Sequence, residues 1–239
     1  MSDIVYFDKY DAAGAYHWAE CDRRYANWRR YNPAVDARYT LTIEAVQSLE
    51  RSGSLLDVGC GDGLLMARAA PLFDRVAGVD TDPRAITLAQ EQLKSTLNCE
   101  ARHVAGYDLP FGDHTFDTVT SADVIEHLTD PQRHLREIVR VLGPDGGLVL
   151  TTPQWKADGK WDERHEREYR AEELRALLEA HFTKVELRFF WPAAWSRVYA
   201  TRIGWRLVKL LAIQVHNPFL RMSDRDAPAY GQLLAICRR

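Results

Sequence analysis

The run LLDVGCGDGLLMARAA, residues 55–70, constrains this chain more than any other stretch. SLLDVG is a short apolar segment closed by glycine, which reads as a buried strand, and Asp62 to Leu72 reads as a helix. Strand, glycine turn and helix therefore come in the order a nucleotide-binding turn needs. Gly59 and Gly61 let the backbone approach a ligand closely, and the helix start offers unpaired N–H groups. The spacing is G-x-G-x-G, with Leu64 where a dinucleotide fingerprint wants its last glycine. Asp57, just before the turn, would repel a pyrophosphate and suits a cationic or hydroxylated ligand better. Asp80 closes the next apolar run, RVAGVD, where ribose hydroxyls are bound in this topology. A nicotinamide oxidoreductase would share the unit, but the glycine spacing and Asp57 speak against it.

Beyond Asp80 the chain alternates regularly. DPRAITLAQEQLKSTL is a helix with Asp82 as N-cap and Pro83 at its first position. ARHVA and FDTVTSA read as strands, Pro131 to Leu142 as a helix, Pro144-Asp145-Gly146 as a turn and GLVLTTP as a fifth strand. After a polar loop come a helix from Ala171 to His181 and the strands KVELRFF and YGQLLAIC. Before all of this, Ala37 to Leu49 has a helical apolar pattern ended by Gly53. Seven strands alternating with helices predict a Rossmann-like α/β fold, a mostly parallel sheet with helices on both faces.

Nine of the 25 aromatic residues fall within the first 39: Tyr6, Phe7, Tyr10, Tyr16, Trp18, Tyr25, Trp28, Tyr31 and Tyr39. That density predicts helical turns packed on the body, serving either as cover for the core or as a lid over a flat ligand. The net charge of −3 excludes a protein that coats nucleic acid by bulk electrostatics. It conceals an asymmetry, for residues 192–239 carry +6 and the rest −9. Cys21, Cys60, Cys99 and Cys237 are scattered without C-x-x-C spacing, a usage that suits a reducing cytoplasm. The start MSDIVYFDKYD lacks the pattern of a secretory signal. The longest uncharged apolar stretch, Leu210 to Leu220, falls short of the roughly 18 residues of a membrane span. The expectation is a cytoplasmic protein, with peripheral membrane contact left open.

DVGCGDG, VAGVDTDPRAITLA, DLPFGDHTFDTVTSADVIEHLTDP and LREIVRVLGPDGGLVLTTP, in that order, resemble the class I S-adenosylmethionine-dependent methyltransferases. The resemblance is close over residues 53–153 and looser to 190. It implies that the last strand is antiparallel, and three regions: an aromatic-rich helical cap (1–52), a cofactor-binding core (53–153), and the rest of the sheet with a helical insertion at about 192–228. It also implies roles by position. Asp57, Gly59 and Gly61 would line the methionyl part of S-adenosylmethionine, Asp80 would hold both ribose hydroxyls, and Thr81 would contact the adenosine. Tyr107 or Asp108 would stand near the adenine, and Asp123 beside the reacting methyl group. YNPAVDARYTLTIEAV resembles the N-terminal helix of the ubiquinone-biosynthetic O-methyltransferases, which makes Arg38 a candidate partner for the cofactor carboxylate, against a surface salt bridge.

A second constellation is Asp123-x-x-Glu126-His127, followed by His165. Carboxylates and imidazoles that meet at one point suit Mg²⁺ or another divalent metal. The arrangement resembles the E-x-x-E-H…H site of small-RNA 2′-O-methyltransferases, with Asp123 in place of their first glutamate. Without metal, His127 or His165 can serve as the base that deprotonates an acceptor hydroxyl. A purely structural role for these histidines is the third reading, and His17 is a further residue that either faces the pocket or packs in the lid.

Ala193 to Val215 reads as one helix, with Arg202, Arg206 and Lys209 in a stripe about 60° wide beside a broad apolar face. It is a cap over the acceptor, an interfacial helix on an anionic membrane, or a dimer contact. The expected function is S-adenosylmethionine-dependent O-methylation of a small or lipid-linked, anionic metabolite. Alternatives are N-, carboxyl- or phosphoryl-O-methylation, a metal-dependent RNA 3′-end methylation without an evident RNA-binding domain, and a non-catalytic binding protein.

Overall fold

Mostly buried apolar runs build the centre of the protein, in β1 (Ser54–Val58), β2 (Arg75–Asp80), β4 (Phe116–Ala122) and the second half of β5 (Leu142–Pro153), while β3 (Cys99–His103) is a largely exposed edge strand. β6 (Lys184–Pro192) and β7 (Tyr230–Arg238) complete one seven-stranded sheet in the order β3-β2-β1-β4-β5-β7-β6. β1 to β5 are mutually parallel, and β7 runs antiparallel between β5 and β6, with Ala235 opposite Leu150 on one side and Leu187 on the other. The computed structural model describes residues 9–24, 28–104, 106–157, 162–225 and 229–239. The aromatic residues Tyr6, Phe7 and Tyr25 lie outside them.

The period-two alternation of a strand divides the core. Leu55 and Val76 join α3 (Pro33–Gln47), α4 (Leu64–Ala69) and α5 (Pro83–Leu93) on one face. Leu56, Val58 and Val79 join α6 (Pro131–Val141) and α7 (Ala171–Glu179) on the other. Helices on both faces explain why β1 and β2 read as continuous apolar runs. Three helices open on a capping side chain followed by proline. Asn32, Asp82 and Asp130 accept from the N–H groups of Ala34, Arg84 and Arg133, at 3.2, 2.9 and 2.9 Å. The first of these starts α3 four residues before the expected Ala37. Pro144–Gly146, expected as a turn before the strand, instead lies within β5, where the pairing with β4 jumps from Leu142↔Phe116 to Gly147↔Thr118.

The order reverses between β1 and β4, since β2 and β3 lie beyond one and β5 beyond the other. A crevice opens at such a switch point, outside the C-terminal ends of the strands. α1 (Lys9–Ala13) and α2 (Tyr16–Glu20) lie over it. α3 is tied down by the buried Asp36, which accepts from Arg23, Arg68 and the Tyr31 hydroxyl at 2.8, 2.8 and 3.0 Å.

The single helix expected at 193–215 is in fact two, α8 (Ala193–Tyr199) and α9 (Gly204–Gln214). The chain turns so tightly between them that a Cβ on Gly204 would lie 2.0 Å from the Val198 carbonyl oxygen. The Thr201 hydroxyl holds the turn, donating to Val198 O at 2.8 Å and accepting from Gly204 N–H at 3.0 Å. The expected basic stripe is broken as well. Lys209 points inward, its ammonium donating to the carbonyls of Trp28 and Arg29 at 3.1 and 2.9 Å.

Candidate functional site

The glycine turn is fastened to its neighbour strand before any side chain takes part. Gly59 and Cys60 N–H both donate to Val79 O, at 2.8 and 3.0 Å. Asp80, at the end of β2, accepts from Gly61 N–H at 2.8 Å on one oxygen and from Asp82 N–H at 2.9 Å on the other. Burial pushes its carboxyl above the ordinary range. Gly61 has φ +53°, and a Cβ there would sit 2.7 Å from the Tyr10 hydroxyl, so α1 closes directly on the turn. α2 is anchored to the same turn through Asp62, which is fully buried. Its carboxylate accepts from His17 Nδ1–H at 3.1 Å and His17 N–H at 3.0 Å, and its carbonyl accepts the Trp18 indole N–H at 2.9 Å.

A cavity of about 430 Å³ opens from this turn. It brings together Arg38, Gly59, Gly61, Asp80, Thr81, Tyr107, Asp123, Glu126, His127 and His165, ten of the twelve residues expected from sequence. Asp57 and Asp108 stand away from its wall. Asp57 is buried behind the turn, accepting from the Thr120 hydroxyl at 2.8 Å, and burial raises its carboxyl to about 7. Asp108 points to solvent and pairs with Arg133 at 2.6 Å. Tyr107 is held at the wall by Thr129, at 3.1 Å, and by Asp130 N–H, at 3.0 Å.

Asp123 leaves β4 with φ +54°. It is ion-paired with Arg38 and accepts from the Thr151 hydroxyl at 2.8 Å. The Arg38 Nε–H is buried and has no partner among the described residues. Both carboxylate oxygens of Asp123 are thereby engaged, and it falls outside the group that the other three expected metal ligands form. Glu126, His127 and His165 form their own group, with one ligand atom of each within 4.8 Å of the others.

That group is braced from behind. The carbonyl of Glu126 accepts from Glu166 and Arg167 N–H at 2.8 and 3.1 Å, which carries the loop after β5 to the end of β4. Its carboxyl accepts from Thr152 at 2.9 Å, and burial, then Asp123, raise it well above the usual range. His127 Nδ1–H donates to Arg164 O at 3.0 Å, and burial lowers the pKa of its ring. His165 Nδ1–H donates to the Glu168 carboxylate, also at 3.0 Å. Each contact fixes the proton on Nδ1 and leaves the lone pair on Nε2. The rings are 4.9 Å apart and inclined at 70°.

Residues that sequence reasoning missed also line the cavity: Tyr10, Tyr16, Glu20, His134 and Trp191. Tyr10 and Tyr16 were foreshadowed by the aromatic density of the first 39 residues. Trp191, the last residue but one of β6, has φ +64°, an uncommon conformation for a bulky residue, and its indole N–H donates to Ala34 O at 2.7 Å. Nothing in its sequence neighbourhood signals that placement.

The methyltransferase domain family matches residues 56–150. A Mycolicibacterium smegmatis protein named "Probable S-adenosylmethionine-dependent methyltransferase" is 32% identical over 188 residues, covering 76% of this chain and 68% of that protein. A ubiquinone biosynthesis O-methyltransferase of Xanthomonas oryzae is 32% identical over 151 residues, covering 59% of this chain and 63% of that protein. The chain thus spans less than two thirds of that relative's length. In fold it is similar to the YcgJ protein of Bacillus subtilis, with a TM-score of 0.60 at 20% identity over 84% of this chain and 98% of that one.

Proposed function

The chain belongs to the S-adenosylmethionine-dependent methyltransferase family, and from that premise we propose that it O-methylates a hydroxyl group of a small or lipid-linked, anionic metabolite. The observation that carries this reading is one cavity with two chemically distinct groups, Arg38, Asp80 and the glycine turn in one and Glu126, His127 and His165 in the other.

The residues fit the cofactor. The buried Nε–H of Arg38, without a partner among the described residues, suits its carboxylate, the half-buried Asp80 suits a ribose diol, and Gly59 and Gly61 line the cavity with backbone alone. Thr81 and Tyr107 would flank the adenosine, Asp123 would stand beside the methyl-bearing end, and Asp57 would support the turn from beneath. S-adenosylmethionine supplies an electrophilic methyl group on a sulfonium. The chain's own task is to position a hydroxyl in line with it and to remove the hydroxyl proton. His165 Nε2 would take that proton, because the Glu168 carboxylate holds its Nδ1–H and would stabilise the imidazolium that forms. His127, kept neutral by burial, would orient the acceptor oxygen.

The same three side chains favour a second reading of this group. One carboxylate and two imidazoles with their Nδ1 atoms braced are a donor set for Mg²⁺, Mn²⁺ or Zn²⁺. Glu126, His127 and His165 would hold the ion, which would lower the pKa of a hydroxyl bound to it.

Calorimetry with S-adenosylhomocysteine and methyl transfer from labelled S-adenosylmethionine to hydroxyl, amine, carboxylate and RNA 3′-end acceptors test the proposal. Hydroxyl acceptors should be labelled, and Asp80→Ala should cost the product at least about 100-fold in affinity. Labelling of amines or RNA ends alone would overturn the acceptor class, and cofactor binding without any transfer would leave a binding protein. Turnover unchanged by a chelator and by added Mn²⁺ would remove the metal.

A further inference from the structure

Among the described residues, large aliphatic side chains are scarce on the outside, and they are not scattered. Val198, Ile203, Leu207, Leu210 and Val215 are between 40% and 79% exposed, and among the described residues Leu97 is the one other such side chain. All five lie on α8, α9 and their connections. α9 buries Gly204, Val208, Lys209 and Ala212 against the body, where Ala34, Ala37 and Phe219 receive Val208. Its opposite side presents Arg206, Leu207, Leu210 and Gln214 to solvent, with Ile203 in line just before the helix. Arg197 and Arg202 are exposed beside them, and no acidic residue occurs from 192 to 223.

We propose that this outward face of α8 and α9 docks the protein on an anionic lipid bilayer. It goes beyond the proposed function but rests on it for what docking would serve, the supply of a lipid-linked acceptor. Two observations select a bilayer over a protein. Aliphatic side chains interleaved with arginines and free of carboxylates match the boundary between acyl chains and anionic headgroups. A two-fold contact with a second copy would instead set an all-arginine charge against itself. The inward turn of Lys209 sharpens the face, because the one lysine of α9 is bonded to the Trp28 and Arg29 carbonyls and the exposed cations are all guanidiniums. No described helix is long and apolar enough to cross a membrane, so the contact is interfacial. The face also adjoins the cavity, since α8 begins two residues after Trp191, which lines it. A molecule whose tail stays in the bilayer therefore has a short path to the cavity.

Sedimentation of the full chain with phosphatidylcholine vesicles, with and without phosphatidylserine, tests the proposal. Binding should need phosphatidylserine and weaken with salt. Arg202→Gln with Arg206→Gln should cut partitioning about 25-fold, at about fivefold per arginine. Leu207→Ser with Leu210→Ser should cut it at least about tenfold. Both variants should keep the parental affinity for S-adenosylhomocysteine, which verifies folding and separates this proposal from the cofactor reading. No binding to phosphatidylserine vesicles at low salt would overturn it, as would equal binding to neutral vesicles. So would a dimer, seen by light scattering, that the leucine variant dissolves.

Discussion

Arg38 on α3 and Asp123 at the end of β4 form an ion pair across the cavity, though 85 residues separate them in sequence. The pair leaves the Arg38 Nε–H buried without an acceptor among the described residues. A buried donor in that state costs free energy that a carboxylate ligand would recover. If that ligand is the cofactor carboxylate, Arg38→Ala should weaken S-adenosylhomocysteine about 10- to 100-fold. Methylthioadenosine, which lacks the amino-acid end, should bind the variant within about threefold of the parent. Calorimetry with both ligands decides, because a structural role for Arg38 would weaken both alike.

The approach of Tyr10 to Gly61 makes the cover over the glycine turn testable. Gly61→Ala places a methyl group 2.7 Å from the Tyr10 hydroxyl and puts alanine at φ +53°, a strain of roughly 1–2 kcal/mol. The variant should bind S-adenosylhomocysteine at least about tenfold more weakly, with part of the loss restored by adding Tyr10→Phe. Absence of any restoration would mean that the steric contact is immaterial and backbone strain accounts for the whole effect.

The features legible in the sequence are local ones. RVAGVD and FDTVTSA coincide with β2 and β4 because a buried strand writes its burial into consecutive residues. Asp82-Pro83 marks a helix start with two adjacent side chains. The glycine turn and Asp80 are likewise neighbours through a single strand pairing. The break between α8 and α9 was not legible, because it depends on how closely Gly204 packs on the Val198 carbonyl. Nor was the inward turn of Lys209, whose carbonyl partners lie 180 and 181 residues away. On the acceptor side Trp191 reaches the cavity through a bond to Ala34, 157 residues away, and no periodicity records it.

The two braced histidines predict the pH dependence of transfer. Burial lowers the pKa of His127, and it can accept a hydrogen bond from the acceptor hydroxyl only unprotonated, so kcat/KM should fall on the acid side, below the ordinary imidazole range near 6.5, and His127→Gln should remove that limb. His165→Gln, which removes the proposed base, should lower kcat at least about 100-fold. Glu168→Gln, which alters only the group behind His165, should lower kcat about tenfold or more without changing KM for S-adenosylmethionine. A kcat in His165→Gln within about threefold of the parent would exclude this imidazole as the base.

Two buried groups pull stability in opposite directions with pH. Burial raises Asp57 to about 7, so the folded state holds this proton more tightly than the unfolded chain, whose carboxyl titrates near 4. Its contribution is complete below about pH 4 and is lost as pH rises toward 7. Burial lowers His134, which meets Ser121 at 3.2 Å, to about 4, while the unfolded imidazole titrates near 6.5. Its contribution is complete above about 6.5 and is lost as pH falls toward 4. Between pH 4 and 6.5 the two slopes oppose each other, and single substitutions should expose them. Relative to the parent, Asp57→Asn should gain about 1.4 kcal/mol per unit as pH rises through this window, and His134→Gln should gain similarly as pH falls. Urea unfolding of the ligand-free protein across that range measures both. A pH-independent offset for either variant would show that the residue keeps its ordinary pKa in the fold.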